Sequence, residues 1–237
     1  MLGVLAGILH LSLLNETLTP ARDITVSFRN LKGIIGITIR SLKEHFNTWL
    51  SMSRPLLALS VTYMLWSLEE GLTGPYWIVY AKEEIGISSS EWGSLVSIGN
   101  LVSLALKSFV VGKMLDKFRR MTVLLVVMAL DISSYSIFIL CRGFMDLLIL
   151  WVYASSIWAF YEATYSSLEA DLIPKERRGR TYAALSASWN VMYIPASLVG
   201  GIVYEKVCPE ASFISASLIV FLCLLVSAKF LNVKKAD

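Results

Sequence analysis

The stretch GKMLDKFRRMTVLL, Gly112–Leu125, decides how this chain folds. It places a glycine, an aspartate and four basic residues between two long apolar runs. The chain is 56% hydrophobic and only 16% charged, and its apolar sequence resumes directly after this interruption. About 20 apolar residues are needed to cross a bilayer, so a short basic break between two such runs is typical of a turn at a membrane surface.

Apolar runs of spanning length recur along the whole chain. We identify six of them: Leu56–Tyr80, Trp92–Val111, Met121–Cys141, Leu147–Ala170, Tyr182–Tyr204 and Ala211–Phe230. Backbone groups in lipid must be paired within the protein, and these runs lack the alternation of barrel strands. The sequence therefore predicts an all-α fold, a polytopic bundle of six transmembrane helices. The first three helices and the last three form two triplets, and the second triplet begins on the opposite side of the membrane from the first. Inverted three-helix repeats of this kind are found in transporters.

The bundle is predicted to occupy residues 55–231, with smaller segments on either side. Met1–Leu14 is apolar but too short to span, so we interpret 1–14 as part of a transmembrane helix. Residues 15–54 are predicted to form a linker and 232–237 a tail. Within the linker, apolar residues at helical spacing predict an amphipathic helix on the membrane surface, although a partner-binding helix fits as well: Leu31, Ile35, Ile39, Leu42, Phe46 and Trp49.

Basic residues predict the orientation. Of the 21 Lys and Arg, 18 fall in the linker, in alternate loops or at the C-terminus, and only Lys82, Arg142 and Lys206 fall in the opposite loops. The positive-inside rule then places the 15–54 linker and the C-terminus in the cytoplasm of a multi-pass protein of the cell membrane. The net charge of +3 reflects this topology and indicates no nucleic-acid partner.

Charged residues at membrane depth are the candidate functional groups, because each costs roughly 2.5–3.5 kcal/mol on insertion scales. The spans contain Glu69, Glu70, Asp131 and Glu162. Glu69 shares a helical face with polar and aromatic residues, and Glu162 shares one with Tyr165. We predict proton coupling, or charge pairing with a cationic substrate, by Glu162 and by Glu69 or Glu70. The alternative is that these carboxylates only bond to neighbouring helices, and no role is assigned to Asp131.

Weaker candidates accompany the carboxylates. Asn100 and Asn190 are predicted to line the same cavity, although hydrogen bonding between helices explains them equally well. Gly112 is expected to allow a tight helix exit with close helix contact, and Asp116 to cap the next helix. The three cysteines have no metal-ligand spacing; Cys141 and Cys208 could form a disulfide, or all three could be small apolar residues. No metal or other cofactor is predicted.

Four stretches carry a family resemblance, and one of them, SLLNETL at Ser12–Leu18, looks like the end of the family's sixth helix. Gly112–Leu124 resembles the loop G-x-L-a-D-r-x-G-R-[RK]-x-x-[IL] of the major facilitator superfamily of secondary transporters, with Gly112, Asp116, Lys117 and Arg120 in place and Arg119 where the family has a second glycine. ADLIPKERRGRTYAAL resembles the family's loop between helices ten and eleven, matching at Asp171, Pro174, Glu176, Arg177, Arg178, Gly179 and Arg180. EEGLTGPYWIVYAKEEIGIS looks like its seventh helix.

The resemblance implies that the six spans are helices seven to twelve of a twelve-helix carrier, preceded by the end of helix six and the central linker. It implies transport of a small solute, with the first span and the fourth lining the cavity, and the carboxylates in these spans favour coupling to protons. Alternating access needs two bundles, so the partner expected is a separate N-terminal half or a second copy. An inactive truncated carrier and an oligomeric six-helix channel are the alternatives. An enzyme is not expected, because no histidine lies in any span and no hydrolase or phosphate-loop motif occurs.

Overall fold

The computed structural model describes residues 43, 46–173 and 178–230. Those from 46 onward lie in one structural unit, 44–237. All regular structure in the described residues is helical, which confirms the all-α prediction. In chain order the helices are α1 (Arg54–Thr73), a 3-10 turn (Gly74–Tyr76), α2 (Trp77–Glu83), α3 (Ser89–Leu106), a π-helical turn (Lys107–Val111), α4 (Gly112–Lys117), α5 (Arg120–Leu140), α6 (Phe144–Leu172), α7 (Arg178–Lys206) and α8 (Pro209–Phe230).

Four helices of the described part are long and apolar enough to cross a membrane. They are Ser89–Lys117, Arg120–Leu140, Phe144–Leu172 and Pro209–Phe230. Two further predicted spans, Leu56–Tyr80 and Tyr182–Tyr204, correspond to α1 with α2 and to α7, and their crossing stays a prediction. The predicted segments 1–14 and 232–237, and most of the 15–54 linker with its amphipathic helix, lie outside the described residues.

Local signals explain where the helices begin and break. Pro55 occupies the first turn of α1, where its missing N–H costs no hydrogen bond. The Gly74-Pro75 pair converts the end of α1 into a 3-10 turn before α2. Gly86 has φ +82° in the connection that follows α2. Ser88 and Glu91 then form a reciprocal capping box that starts α3.

The predictions for Gly112 and Asp116 were wrong in detail. The helix continues through Gly112, and a Cβ added there would meet no described atom within 4 Å, so this glycine makes no close helix contact. Asp116 lies within α4. The N-cap residue of α5 is Arg119, whose side chain makes no capping hydrogen bond. The charged interruption therefore forms the last helical residues of α4 and a very short turn before α5.

α1 is the central packing element of the bundle. It packs most extensively against α7 and α8, and α5 packs against α8 and α6. A Cβ at Gly71 would lie 2.6 Å from the Ala196 Cβ and 2.8 Å from the Tyr193 carbonyl oxygen, so glycine is required for this approach of α1 to α7. Gly200 faces the Leu72 carbonyl oxygen in the same way, at 2.6 Å from an added Cβ.

Side chains join the same helices across the bundle. The Ser67 hydroxyl donates to the Trp189 carbonyl at 2.5 Å, and the Tyr76 hydroxyl donates to the Ser197 carbonyl at 2.7 Å. α3 packs on α6 rather than on α1. As a result, the described bundle leaves space among α1, α3, α5 and α6.

Candidate functional site

This space is a cavity of about 390 Å³. Its walls come from α1, the 3-10 turn, α2, α3, α5 and α6. The lining residues fall into a carboxylate group, an aromatic group and a group of aliphatic, small or polar residues: Glu69, Glu70 and Asp131; Trp66, Trp77, Trp92, Trp151, Trp158 and Tyr135; and Gly74, Val96, Asn100, Ser103, Ala154, Ser155 and Ile157.

Glu69 is the most enclosed carboxylate of the cavity, with only 1% of its surface exposed. The Thr73 hydroxyl donates to its Oε1 at 3.0 Å, and the Tyr135 hydroxyl donates to the same oxygen. The Oε2 atom has no hydrogen-bond partner among the described residues. Because a buried carboxylate oxygen without a partner is costly, Glu69 is poised to accept a proton or a ligand donor.

Asp131 lines the same cavity from α5 and is 8% exposed. Its Oδ2 atom likewise has no partner in the described part of the chain. Glu70, partly buried, adds a third carboxylate. Sequence reasoning found Glu69 and Glu70 but gave Asp131 no role. The available signal was Tyr135, one helical turn after Asp131 and therefore on the same face of α5.

Five tryptophans form much of the cavity wall, although the whole chain has only seven. Trp151 contacts two of them edge to face, with its ring centroid 5.7 Å from that of Trp77 and 4.7 Å from that of Trp92. Gly99 makes room for this arrangement, since a Cβ there would lie 2.6 Å from Trp151 Cδ1. The rings are thereby held beside the carboxylates.

Glu162 occupies a different position from the one its sequence pattern suggested. It forms an ion pair with Lys107, the first residue of the π-helical turn, and both side chains are partly exposed. It does not line the cavity, whereas Ser155 and Trp158 from the same face of α6 do. π-helical turns often occur at functional positions, and here one directs a lysine to a membrane-depth carboxylate.

The structure places the weaker candidates Asn100, Tyr165 and Asn190 in three different environments. Asn100 lines the cavity. Tyr165 is buried in a hydrophobic cluster, where its hydroxyl donates to the Leu59 carbonyl at 3.2 Å and its ring lies 5.1 Å from that of Tyr63. Asn190 is exposed on α7 and donates to the Ser186 carbonyl at 3.0 Å. Among these three, only Asn100 lines the cavity.

The two loops identified by resemblance meet in the structure. Arg120 forms an ion pair with Asp171 and donates to the Ser167 carbonyl at 3.3 Å. Arg178 donates to the Ala170 carbonyl at 3.4 Å. Lys117 lies 5.7 Å from the centre of the Phe118 ring. Gly179 and Arg180 lie in the first turn of α7, while Pro174, Glu176 and Arg177 lie outside the described residues.

The three cysteines are unpaired in the described part of the chain. Cys141, Cys208 and Cys223 are free thiols, and Cys141 and Cys223 are buried. Within the described residues, no group of three or more His, Cys, Asp and Glu side chains has an arrangement that could hold a metal ion.

A bundle of spanning helices around a carboxylate-lined cavity defines a polytopic membrane protein with an internal polar site. The sequence model of the Major Facilitator Superfamily matches residues 56–237. The chain belongs to the Major Facilitator Superfamily, which confirms the resemblance found in its loops. No curated protein matches the chain. Membrane transport by a major facilitator carrier is the function that this family supports.

Proposed function

We propose that the chain carries out secondary active transport of a small solute, coupled to protons, as one half of a carrier. The cavity is the solute site, and Glu69, Glu70 and Asp131 are the proton-binding groups. One observation carries this assignment: three carboxylates line the cavity, and no lysine or arginine lies among its lining residues in the described structure. Carboxylates at membrane depth without a cationic partner need a proton or a positively charged ligand.

Glu162, which lies outside the cavity lining, has a different role in this proposal. Its partner Lys107 belongs to the π-helical turn of the α3–α4 segment. Protonation of Glu162 would remove its charge and release Lys107, which would change the contact between this segment and α6. We therefore assign Glu162 to the coupling of protonation to helix movement, and Glu69 to proton binding in the cavity.

A second membrane bundle forms the other wall in this proposal. Asn100 on α3 and Asn190 on α7 are exposed on the described bundle. Polar side chains at membrane depth seldom face lipid, so both support coverage by protein. The partner is a further segment of a longer chain, a separately encoded half or a second copy. Gentle extraction and native mass determination distinguish these sources; a carrier role is contradicted if the protein is monomeric and no second bundle accompanies it.

Proton coupling is tested by flux into membrane vesicles that contain the protein. Uptake or efflux of a panel of labelled small solutes is measured with and without an imposed pH gradient. We expect gradient-dependent flux with the native protein and with Glu205→Gln, which removes an exposed carboxylate at the end of α7. We expect loss of that flux with Glu69→Gln. Flux that is unchanged when a protonophore collapses the gradient would contradict proton coupling.

A further inference from the structure

The chemistry of the cavity narrows the class of solute. Two buried acceptor atoms, Glu69 Oε2 and Asp131 Oδ2, lack partners among the described residues, and both side chains are more than nine-tenths buried. Glu70 adds a third carboxyl group to the lining. When ionised, these groups would repel a solute with a carboxylate or phosphate, whereas a positively charged N–H donor would pair with an unpaired carboxylate oxygen.

The aromatic wall adds a second, independent restriction. Trp77, Trp92 and Trp151 form a connected set of rings on the cavity surface, and Trp66 and Trp158 lie 6.1 Å apart between centroids. Indole faces attract cations and also bury apolar surface. A small hydrated metal ion would use neither property, and the described acidic residues show no metal-ligating group.

We propose that the cavity binds an organic cation: a protonated amine attached to an aromatic or other apolar body. Its charged group lies against the carboxylates of Glu69 and Asp131, and its apolar body lies against the tryptophans. The part of the site that this bundle forms has a volume of about 390 Å³, which is at the small end of the range for ligand sites. This inference rests on the proposed function only in treating the cavity as the solute site.

Binding is measured on the full chain, purified in lipid nanodiscs, with no ion gradient. The probe is radiolabelled 2-phenylethylammonium, and the competitors are unlabelled 2-phenylethylammonium, 2-phenylethanol and sodium chloride at matched ionic strength. 2-Phenylethanol keeps the aromatic body and a hydrogen-bond donor but has no charge. We expect saturable binding that the unlabelled amine displaces and that the alcohol and sodium displace at least about tenfold more weakly, the ratio expected for loss of one charge-assisted interaction.

The variants Glu69→Gln and Asp131→Asn preserve side-chain shape and should each weaken probe binding about tenfold or more. Glu205→Gln should bind the probe as the native protein does, because its carboxylate is exposed and is not among the residues that line the cavity. Equal displacement by 2-phenylethanol, displacement by sodium, absence of saturable binding, or equal losses in all three variants would each overturn the inference. The comparison of the amine with the alcohol uses only the native protein, so it does not depend on whether the variants fold.

The binding experiment tests the organic-cation site, and the flux experiment tests proton-coupled transport, so each proposal can be contradicted without the other. Saturable amine binding without gradient-dependent flux would leave the organic-cation site standing and contradict proton coupling. Gradient-dependent flux of another solute, with no amine binding, would contradict the organic-cation site and leave the transport proposal standing.

Discussion

The guanidinium of Arg120, in the first turn of α5, pairs with the carboxylate of Asp171 near the end of α6. The two residues are 51 positions apart and come from the two loops that carry the family resemblance. Arg120 also reaches the Ser167 carbonyl, so it holds the last turn of α6 by two interactions. The basic turn therefore joins the start of α5 to the end of α6.

Exchange of the two charges tests whether this pair supports transport. Arg120→Asp and Asp171→Arg should each lower transport, because each places like charges together. The double variant should recover a substantial part of the rate. Stability should change by only about 0–1 kcal/mol, since both side chains are partly exposed. Solute flux and thermal unfolding measure the two effects. If the losses of the single variants simply add in the double variant, the pair is not a functional unit.

The Lys107–Glu162 pair permits a distinction between a proton carrier and a structural counterion. Glu162→Gln should abolish gradient-driven flux. If Glu162 acts through its proton, Lys107→Met combined with Glu162→Gln should remain inactive. If Glu162 only neutralises Lys107, the double variant should recover, because no unpaired lysine is left. We expect no recovery. The measurement is pH-gradient-driven flux at matched protein levels, and unchanged flux with Glu162→Gln alone would contradict the assignment.

Substitution by alanine should lower stability at Gly71, where α1 approaches α7 closely, but not at Gly93, where there is open space. Gly71→Ala should destabilise the protein by about 1–3 kcal/mol, because the new methyl group meets the Tyr193 backbone oxygen and the Ala196 Cβ. Gly93→Ala in α3 meets nothing within 4 Å in the described structure and should be neutral or stabilising by up to about 1 kcal/mol. Thermal unfolding of the purified chain, followed by circular dichroism, compares the two. Equal effects would contradict the packing at Gly71.

The orientation is testable at a cysteine. Cys208 is exposed between α7 and α8, whereas Cys141 and Cys223 are buried. A membrane-impermeant maleimide should label Cys208 in intact cells, because the positive-inside rule places this connection outside. The variant Cys208→Ser should abolish the labelling, and a cysteine introduced by Arg119→Cys in that variant should react only after permeabilisation. Labelling of Cys208 only in permeabilised cells would reverse the predicted topology.

The sequence predicted most of the long helices because apolar segments are separated by short charged or polar stretches, and four of these helices are apolar enough to cross a membrane. The charged stretch at Gly112–Leu125, the Gly74-Pro75 break and the capping residue Ser88 mark their limits. Details at helix ends were less predictable. Asp116 looked like a cap because aspartate favours that position, but the helix continued past it and placed it in α4.

The cavity was only partly predictable. Glu69 and Glu70 were recognised because a charge in an apolar span is unusual. Asp131 was equally unusual, yet its role depends on α5 facing α1 across the bundle, a relationship that one helical face cannot reveal. Glu162 was placed with the cavity because it shares a face with Trp158. The pairing with Lys107 depends on the π-helical turn, which shifts the register of side chains locally and has no simple sequence pattern.

The break at Gly74–Tyr76 separates α1 from α2 at a point that is held on both sides. On the α1 side, Gly71 permits the close contact with α7, and the Tyr76 hydroxyl donates to the Ser197 carbonyl. On the α2 side, the ring of Trp77 lies 4.4 Å from that of Phe138 and 5.1 Å from that of Phe213 between centroids, and Trp77 also lines the cavity. Any movement of α2 would therefore disturb its packing on α5 and α8 and the cavity wall at the same time.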